Sequence, residues 1–325
     1  MTEPDRAAPP TPILLDTDLG TDVDDAIALA FLAVDPRCQL VGVTTVNGDT
    51  RARAALARAL LELADRADVP IGIGASDPLS GYPSKTMPVG LVAKGPLADL
   101  PAAMPTAEEV IVDVLRDATE PVHICGVGAF TNVATVLSAH PELHEAVAGI
   151  HLMGGCLGSF ALVPGGERFP AIADFNLNGD ELSAAVCLGL PIPIRLVPQD
   201  VTNELLLTAE DRTAIATSGP LGAALEEQMA GWVAFLQTRS PDPDVAHVRL
   251  HDPLAVVGIG APGIETSTQM QLSVRGRRGR SMFVESPLGR PVTVVRSADA
   301  TRLRAELVGA MTSVARPGRR IATGA

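Results

Sequence analysis

Residues 16–29 read DTDLGTDVDDAIAL, so five aspartates (Asp16, Asp18, Asp22, Asp24 and Asp25) fall within ten positions. The apolar run Ile13–Leu15 precedes them and the apolar segment Ala26–Val34 follows. That order predicts a strand, an acidic loop and a helix. Carboxylates crowded at one strand end raise each other's pKa and oppose folding. A hard divalent cation bound through oxygen relieves the repulsion. The same residue types also suit a solvated turn with a helix N-cap. The local density and the strand–turn–helix context favour the metal site.

Strand-like and helix-like segments alternate from here on. Strands are expected at Gln39–Val46, Val69–Ile73, Val122–Cys125, Ile150–Met153 and Ile192–Val197, with late strands at Gln271–Val274 and Val292–Val295. Helices are expected at Asp24–Val34, Thr50–Ala64, Glu108–Ala118, Thr131–Leu137, Glu181–Cys187, Glu210–Ala216, Leu221–Leu236, Asp252–Ile259 and Ala300–Thr312. Such alternation implies right-handed crossovers and an α/β fold: a Rossmann-like, mostly parallel central sheet with helices on both faces. Two irregular stretches rich in Gly and Pro, Ala75–Pro105 and Leu157–Pro170, interrupt it; loops of that length commonly bind or cover a ligand. Residues 1–11 read as a loose arm, 12–314 as one catalytic domain with the late strands as an appendage, and 315–325 as a tail.

Composition removes several function classes. The net charge of −13 argues against a nucleic-acid backbone or an anionic membrane as partner. The basic run Arg275–Arg280 is broken by glycine and reads as a hairpin turn. Cys38, Cys125, Cys156 and Cys187 form no Cys-x-x-Cys pair, and their apolar neighbours suit buried thiols in a reducing compartment. The start, MTEPDRAAPPTP, does not read as a signal peptide, and no apolar run is long enough to span a bilayer. A soluble cytoplasmic protein is the expectation.

In a parallel sheet, ligands sit at the carboxyl ends of the strands. Polar residues expected there are Asp49 after TTVNG, Thr131-Asn132 after HICGVG, Asp174 and Asn176 around Phe175, and His251-Asp252 before PLAV. Each has a plain alternative: Asn176 as a turn cap, His251 as a satisfied core histidine, Asp252 as an N-cap before Pro253. An EF-hand is excluded because its glycine position, counted from Asp18, is Val23. An aspartate-nucleophile phosphohydrolase fits poorly, since Gly20 stands where Thr or Val is needed.

Together the segments DTDLGTDVDDAIAL, GVTTVNGD, HICGVGAFTNVATVL, HLMGGCLG, ADFNLNGDELSAA, LVPQDVT and LHDPLAV resemble the nucleoside hydrolase family, over roughly residues 12–312. The resemblance implies a calcium-dependent N-ribohydrolase acting on a ribonucleoside, a homodimer or homotetramer. Ca2+ would be held by Asp18, Asp25, Asp252 and the backbone carbonyl of Thr131. Asp18 would also take a proton from the attacking water, and His251 would stand near the leaving base as a general acid. Asp24, Asp49, Met153, Asp174 and Asn176 are the expected substrate contacts, with Asp24 and Asn176 on ribose hydroxyls.

The residue types suit that chemistry. Breaking an N-glycosidic bond builds positive charge on the sugar, which carboxylates stabilise. The family's commonest acidic segment is shorter, so Asp22 has no assigned role here, as ligand or cap. Asp49 replaces the usual Asn, Asp174 the usual Glu, and Arg168 an Asn. These departures spare the expected metal shell and touch the sugar and base contacts, so the base is left open between purine and pyrimidine. They also motivate two alternatives: a ribose- or nucleoside-binding protein impaired in turnover, and a hydrolase of another N-ribosyl compound.

Overall fold

The computed structural model describes residues 9–81, 97–157, 160–162, 168–170, 174–239, 247–261, 263–277 and 280–313. In chain order the first half comprises β1 (Thr11–Thr17), α1 (Asp24–Val34), β2 (Cys38–Thr45), α2 (Thr50–Leu63), β3 (Ile71–Ile73), α3 (Ala107–Asp117), β4 (Val122–Gly126), α4 (Thr131–Ala139), a 3-10 turn at Pro141–Ala146 and β5 (Val147–Met153). Next come β6 (Phe160–Leu162), β7 (Arg168–Pro170), α5 (Phe175–Gly179), α6 (Glu181–Gly189), β8 (Ile194–Val197), α7 (Gln199–Thr202), α8 (Ala209–Ala216), α9 (Pro220–Arg239) and α10 (His251–Gly260). The chain closes with β9 (Glu265–Arg277), β10 (Arg280–Glu285), β11 (Arg290–Ala298) and α11 (Ala300–Ser313).

Nine strands form one sheet in the order β10-β9-β11-β8-β5-β4-β1-β2-β3. Every pairing from β3 to β11 is parallel, and only β9 and β10 run antiparallel. A parallel sheet covered on both faces needs strands that are apolar throughout rather than alternating. β1 shows this: Ile13 and Leu15 face one apolar cluster and Leu14 the other, all fully buried. The first cluster lies under α1, α2 and α10, the second under α3, α4 and α6. The alanine-rich α1 (DDAIALAFLAV) is buried on nearly every side and packs closely on α10.

The late strands are not an appendage. Thr293 and Val294 of β11 pair in parallel with Arg195 and Leu196 of β8, so the sheet continues through them. Val292 and Val294 add to the second cluster, which drives that docking. Arg277 and Arg280 do face each other across a β9–β10 hairpin. The stretch Leu157–Pro170 contains the small antiparallel pair β6–β7. Residues 82–96, the centre of the proposed covering loop, lie outside the described residues, as do 1–8 and the tail from 314 onward.

Strand order positions the site. Successive strands run outward from β1 to β2 and β3, then the chain returns to place β4 on the other side of β1. Such a reversal opens a crevice at the carboxyl ends of the two central strands. Asp18 follows β1 there, and Val127-Gly128 follows β4. A Cβ on Gly128 would stand 2.9 Å from the Asp18 backbone nitrogen, so this glycine lets the two strand ends approach.

Candidate active site

Three of the five clustered aspartates sit on or beside the end of β1, and each is held differently. Asp16 is fully buried; its Oδ1 accepts from Thr44 Oγ1 at 2.6 Å and Asn132 Nδ2 at 2.7 Å, while Oδ2 has no partner. Burial pushes its carboxyl up to about 7. Asp18 projects into the crevice, where Asn47 Nδ2 donates to its Oδ2 at 3.3 Å. Asp22 is half-buried in the same cavity; its carboxylate accepts from Val23 N at 2.6 Å and is raised to about 7 by burial.

The other two open α1, and α10 begins against them. Asp24 and Asp25 occupy the first turn of α1, and Asp252 is the second residue of α10. The two helix N-termini meet, and Asp252 N donates to Asp24 Oδ2 at 3.3 Å. One carboxylate oxygen from each of Asp24, Asp25 and Asp252 lies within 4.8 Å of the others. Helix N-termini favour negative charge, which helps this crowd to exist. It is still strained electrostatically: burial first, and then the neighbouring aspartates, raise all three carboxyls well above their usual range. Thr17 Oγ1 holds Asp25 through a short hydrogen bond. No side chain caps α1, whose N-cap is Val23, and Asp252 lies inside the first turn of α10 rather than at its cap. None of the three is therefore the N-cap residue of its own helix. Three buried hard oxygen donors, mutually repelling and converging, are a donor set that fits a divalent cation of the Ca2+ or Mg2+ type.

The far wall comes from the ends of β4 and β5 and from α5. Asn176 Nδ2 donates to the carbonyls of Val127 at 2.5 Å and Met153 at 3.1 Å. With its amide nitrogen used on both strand ends, Asn176 can offer only Oδ1, an acceptor, to a ligand. Asp174 is buried at the N-cap of α5, where Oδ2 accepts from Leu177 N at 2.5 Å. Burial raises its carboxyl to about 6 despite those backbone donors. Gly155, at φ 74°, turns the chain there; a Cβ would meet the Phe283 ring at 2.4 Å.

Two expected residues lie elsewhere. Thr131 does not line the cavity: its carbonyl accepts from Thr135 Oγ1 inside α4, and its hydroxyl donates to Asp180. The residue after β4 that does line the cavity is Val127, whose carbonyl accepts from Asn176 Nδ2. Asp49 is exposed and caps α2, accepting from Ala52 N at 3.0 Å. Asn47, in left-handed conformation at φ 70°, takes the place in the cavity instead. The Asn-Gly pair at 47–48 was the available signal, since that dipeptide marks a turn with positive φ. Arg168 begins β7, and its side chain lies outside the described residues.

His251 opens α10 and lines the cavity, with Nδ1 2.6 Å from Thr202 Oγ1. Burial, and then Arg249, push its pKa down to about 4, so the ring is neutral near pH 7. In the tautomer in which Thr202 donates to Nδ1, Nε2–H is left as a donor. The cavity measures about 490 Å³. The lining also includes Trp232 and Phe235 of α9, stacked with ring centroids 5.6 Å apart, and Arg239, whose guanidinium lies 5.0 Å from the Phe235 ring. The cavity wall thus combines an acidic cluster with an aromatic pair. All four cysteines are buried and free. No helix among the described residues is long and apolar enough to cross a membrane.

Comparison with known proteins agrees with this geometry. The family described as inosine-uridine preferring nucleoside hydrolase matches residues 13–305. A pyrimidine-specific ribonucleoside hydrolase, RihA of Escherichia coli, is 31% identical over 290 residues, spanning 84% of this chain and 88% of that relative. Among solved structures, a plant nucleoside hydrolase superposes with a TM-score of 0.79 at 23% identity, covering 94% of this chain and 100% of the other. A purine-preferring ribonucleoside hydrolase from Gardnerella vaginalis gives 0.78 at 22% identity, covering 94% and 99%. At those identities the structural likeness speaks for the fold alone.

Proposed function

Because the chain belongs to the inosine-uridine preferring nucleoside hydrolase family and is an N-ribohydrolase, we propose that it hydrolyses a pyrimidine ribonucleoside with the help of Ca2+, giving ribose and the free base. The observation that carries this reading is the meeting of Asp24 and Asp25 with Asp252, from opposite ends of the chain, around one small volume. The pyrimidine preference leans on the 31% identity to RihA. An aromatic wall at Trp232 and Phe235 is compatible with a stacked base.

Asp25, Asp252 and Asp18 would hold the cation, with the carbonyl of Val127 better placed than that of Thr131 to join them. Bound there, Ca2+ supplies positive charge that acidifies a nearby water and anchors the vicinal hydroxyls of a ribose. Asp18 takes the proton as the water oxygen bonds to C1′ and the bond from C1′ to the base nitrogen breaks. Asp24 accepts from a ribose hydroxyl, and Asn176, limited to its Oδ1, does the same. Asp174 holds the Gly155 turn and the start of α5 through its backbone contacts, shaping the sugar end of the cavity. His251, neutral near pH 7, hydrogen-bonds the departing base through Nε2–H rather than handing over an imidazolium proton. Asp22, whose carboxylate comes within 4.8 Å of Asp24 and His251, adds negative charge beside the sugar.

A reducing-sugar assay on uridine, cytidine and inosine, run in Ca2+ and in EDTA, tests the proposal. Ribose released from uridine or cytidine and suppressed by EDTA supports it. Turnover of inosine alone would overturn the pyrimidine assignment, and turnover unchanged by EDTA would overturn the metal. A homodimer or homotetramer located in the cytoplasm belongs to the same proposal; sedimentation at micromolar protein reads the assembly.

A further inference from the structure

We propose that Arg53 is a positioning residue that, together with Asn47, fixes the carboxylate of Asp18 for proton abstraction; this rests on the role proposed above for Asp18. Arg53 is 1% exposed, the bulkiest of the fully buried side chains, and its guanidinium forms part of the cavity wall. It stands on the buried stripe of α2 with Ala57 and Leu60, where an aliphatic residue would fill the space without the desolvation penalty of a cation.

The contacts of the guanidinium all concern the two loops around Asp18. Nε donates to the Asn47 carbonyl at 2.7 Å. Nη1 donates to the Asp18 carbonyl through a short hydrogen bond, to the Leu19 carbonyl at 2.8 Å and to Thr21 Oγ1 at 3.2 Å. Nη2 stands 3.9 Å from Asp18 Oδ2. Asn47, whose own carbonyl Arg53 holds, donates to that same Oδ2 at 3.3 Å. Arg53, Asn47 and Asp18 thus close a ring in which backbone and carboxylate of Asp18 are both fixed. Oδ2 thus accepts one hydrogen bond, from Asn47, and stands in an ion pair with Arg53, and no such donor is directed at Oδ1 among the described residues.

A planar fork can serve these acceptors together, and a lysine ammonium cannot. The guanidinium also places one permanent positive charge among the aspartates and lowers the strain at Asp25. Of the two arginines lining the cavity, Arg239 lies over Phe235 and Arg53 reaches Asp18, while Arg249 lowers the strain at Asp22.

A structural brace and a positioning residue differ in what their loss changes. With uridine as substrate and Ca2+ present, R53K is expected to lower kcat about 100-fold while KM stays within about threefold, the pattern of a misplaced base rather than lost binding. N47G, which suits the left-handed backbone at that position, is expected to lower kcat in the same way, and the double variant to lose less than the product of the two single losses. R53A is expected to recover part of its kcat on addition of guanidinium chloride at low millimolar concentration. A kcat for R53K and N47G within about threefold of wild type, or losses that multiply in full, would overturn the proposal. Should the Arg53 variants fail to fold by near-ultraviolet circular dichroism, N47G alone decides: loss of kcat without loss of Tm supports the proposal, and unchanged kcat overturns it. A wild type that releases no ribose from any nucleoside ends the functional reading itself, whereas an active wild type beside unaffected variants ends only the role of Arg53.

Discussion

Asp18 carries two duties in the proposed chemistry, cation ligand and base, so its loss should remove both. Asp18→Ala is expected to cut kcat by about a thousandfold or more, in line with losing a general base, and to abolish the dependence of Tm on Ca2+. Retained turnover in that variant would end the mechanism. His251 offers a finer test. Its neutral ring predicts a hydrogen bond to the leaving base, so His251→Ala should slow uridine hydrolysis by roughly tenfold to a hundredfold and leave an activated 4-nitrophenyl riboside nearly unaffected. The pKa near 4 adds a sign: activity should not decline as pH rises through 6 to 7 on account of this residue. Equal losses on both substrates would remove His251 from leaving-group assistance. At this scale the acidic segment was legible because charge density has few structural uses. Thr131 and Asp49 were less so, because both are common helix starters, and the structure uses them in that way. Their near neighbours Val127 and Asn47 carry no sequence signal of comparable strength, since one acts by a backbone carbonyl and the other by a left-handed turn.

Among elements, α1 and α10 matter most, because their N-termini bring Asp24, Asp25 and Asp252 together. Part of what holds α10 is a polar ladder across the sheet. Arg195 of β8 donates to the Leu254 and Ala255 carbonyls of α10 and pairs with Glu265 of β9. It also approaches His151 Nδ1 at 3.4 Å, and His151 Nε2 lies 2.8 Å from His123 Nδ1. Arginine can only donate, so His151 Nδ1 accepts and its Nε2–H points to His123. Burial, then Arg195, then His123 depress the His151 pKa well below its usual value. The unfolded chain takes up that proton near pH 6.5 and the native protein does so only at lower pH, so stability contributed by neutral His151 is present above pH 6.5 and lost as pH falls. Urea unfolding of wild type and His151→Asn from pH 8 to 5 should show the difference in stability between them narrowing as pH falls; a constant difference would refute the assignment. The elements themselves were largely legible. The span of α1 follows directly from the change from aspartates to an apolar run ending at Asp35-Pro36. What escaped was short or hidden by composition: β6 and β7 have three residues each, α7 has four, and β10 follows an arginine- and glycine-rich stretch of sequence that hides its alternation.

For the whole molecule, the two features that local patterns could not supply are both long-range. The parallel pairing of β11 with β8 joins residues about a hundred positions apart and makes a supposed appendage one end of the same nine-stranded sheet. The approach of Asp252 to Asp24 spans 228 positions and was expected only from family resemblance. With the proposed cation, that approach would make the stability of the protein depend on its ligand. Without a cation, the buried carboxyls have raised native pKa values, with Asp22 near 7. A group whose native pKa is raised favours the folded state below its unfolded pKa, about 4 for Asp, and that advantage disappears as pH rises through the native value. In EDTA, Tm should therefore fall between pH 5 and pH 8. In the proposed function Ca2+ binds the ionised carboxylates, so its stabilisation should grow over the same range. At a hundred times its dissociation constant, a ligand that binds only the native state contributes about 2.7 kcal/mol. For a chain of this length that is a rise in Tm of about 4 °C. Scanning calorimetry at pH 5, 6.5 and 8, each with EDTA and with Ca2+, should give curves that nearly coincide at pH 5 and separate progressively by pH 8. Curves that coincide at all three would mean that the acidic floor holds no cation, and the proposed chemistry would lose its centre.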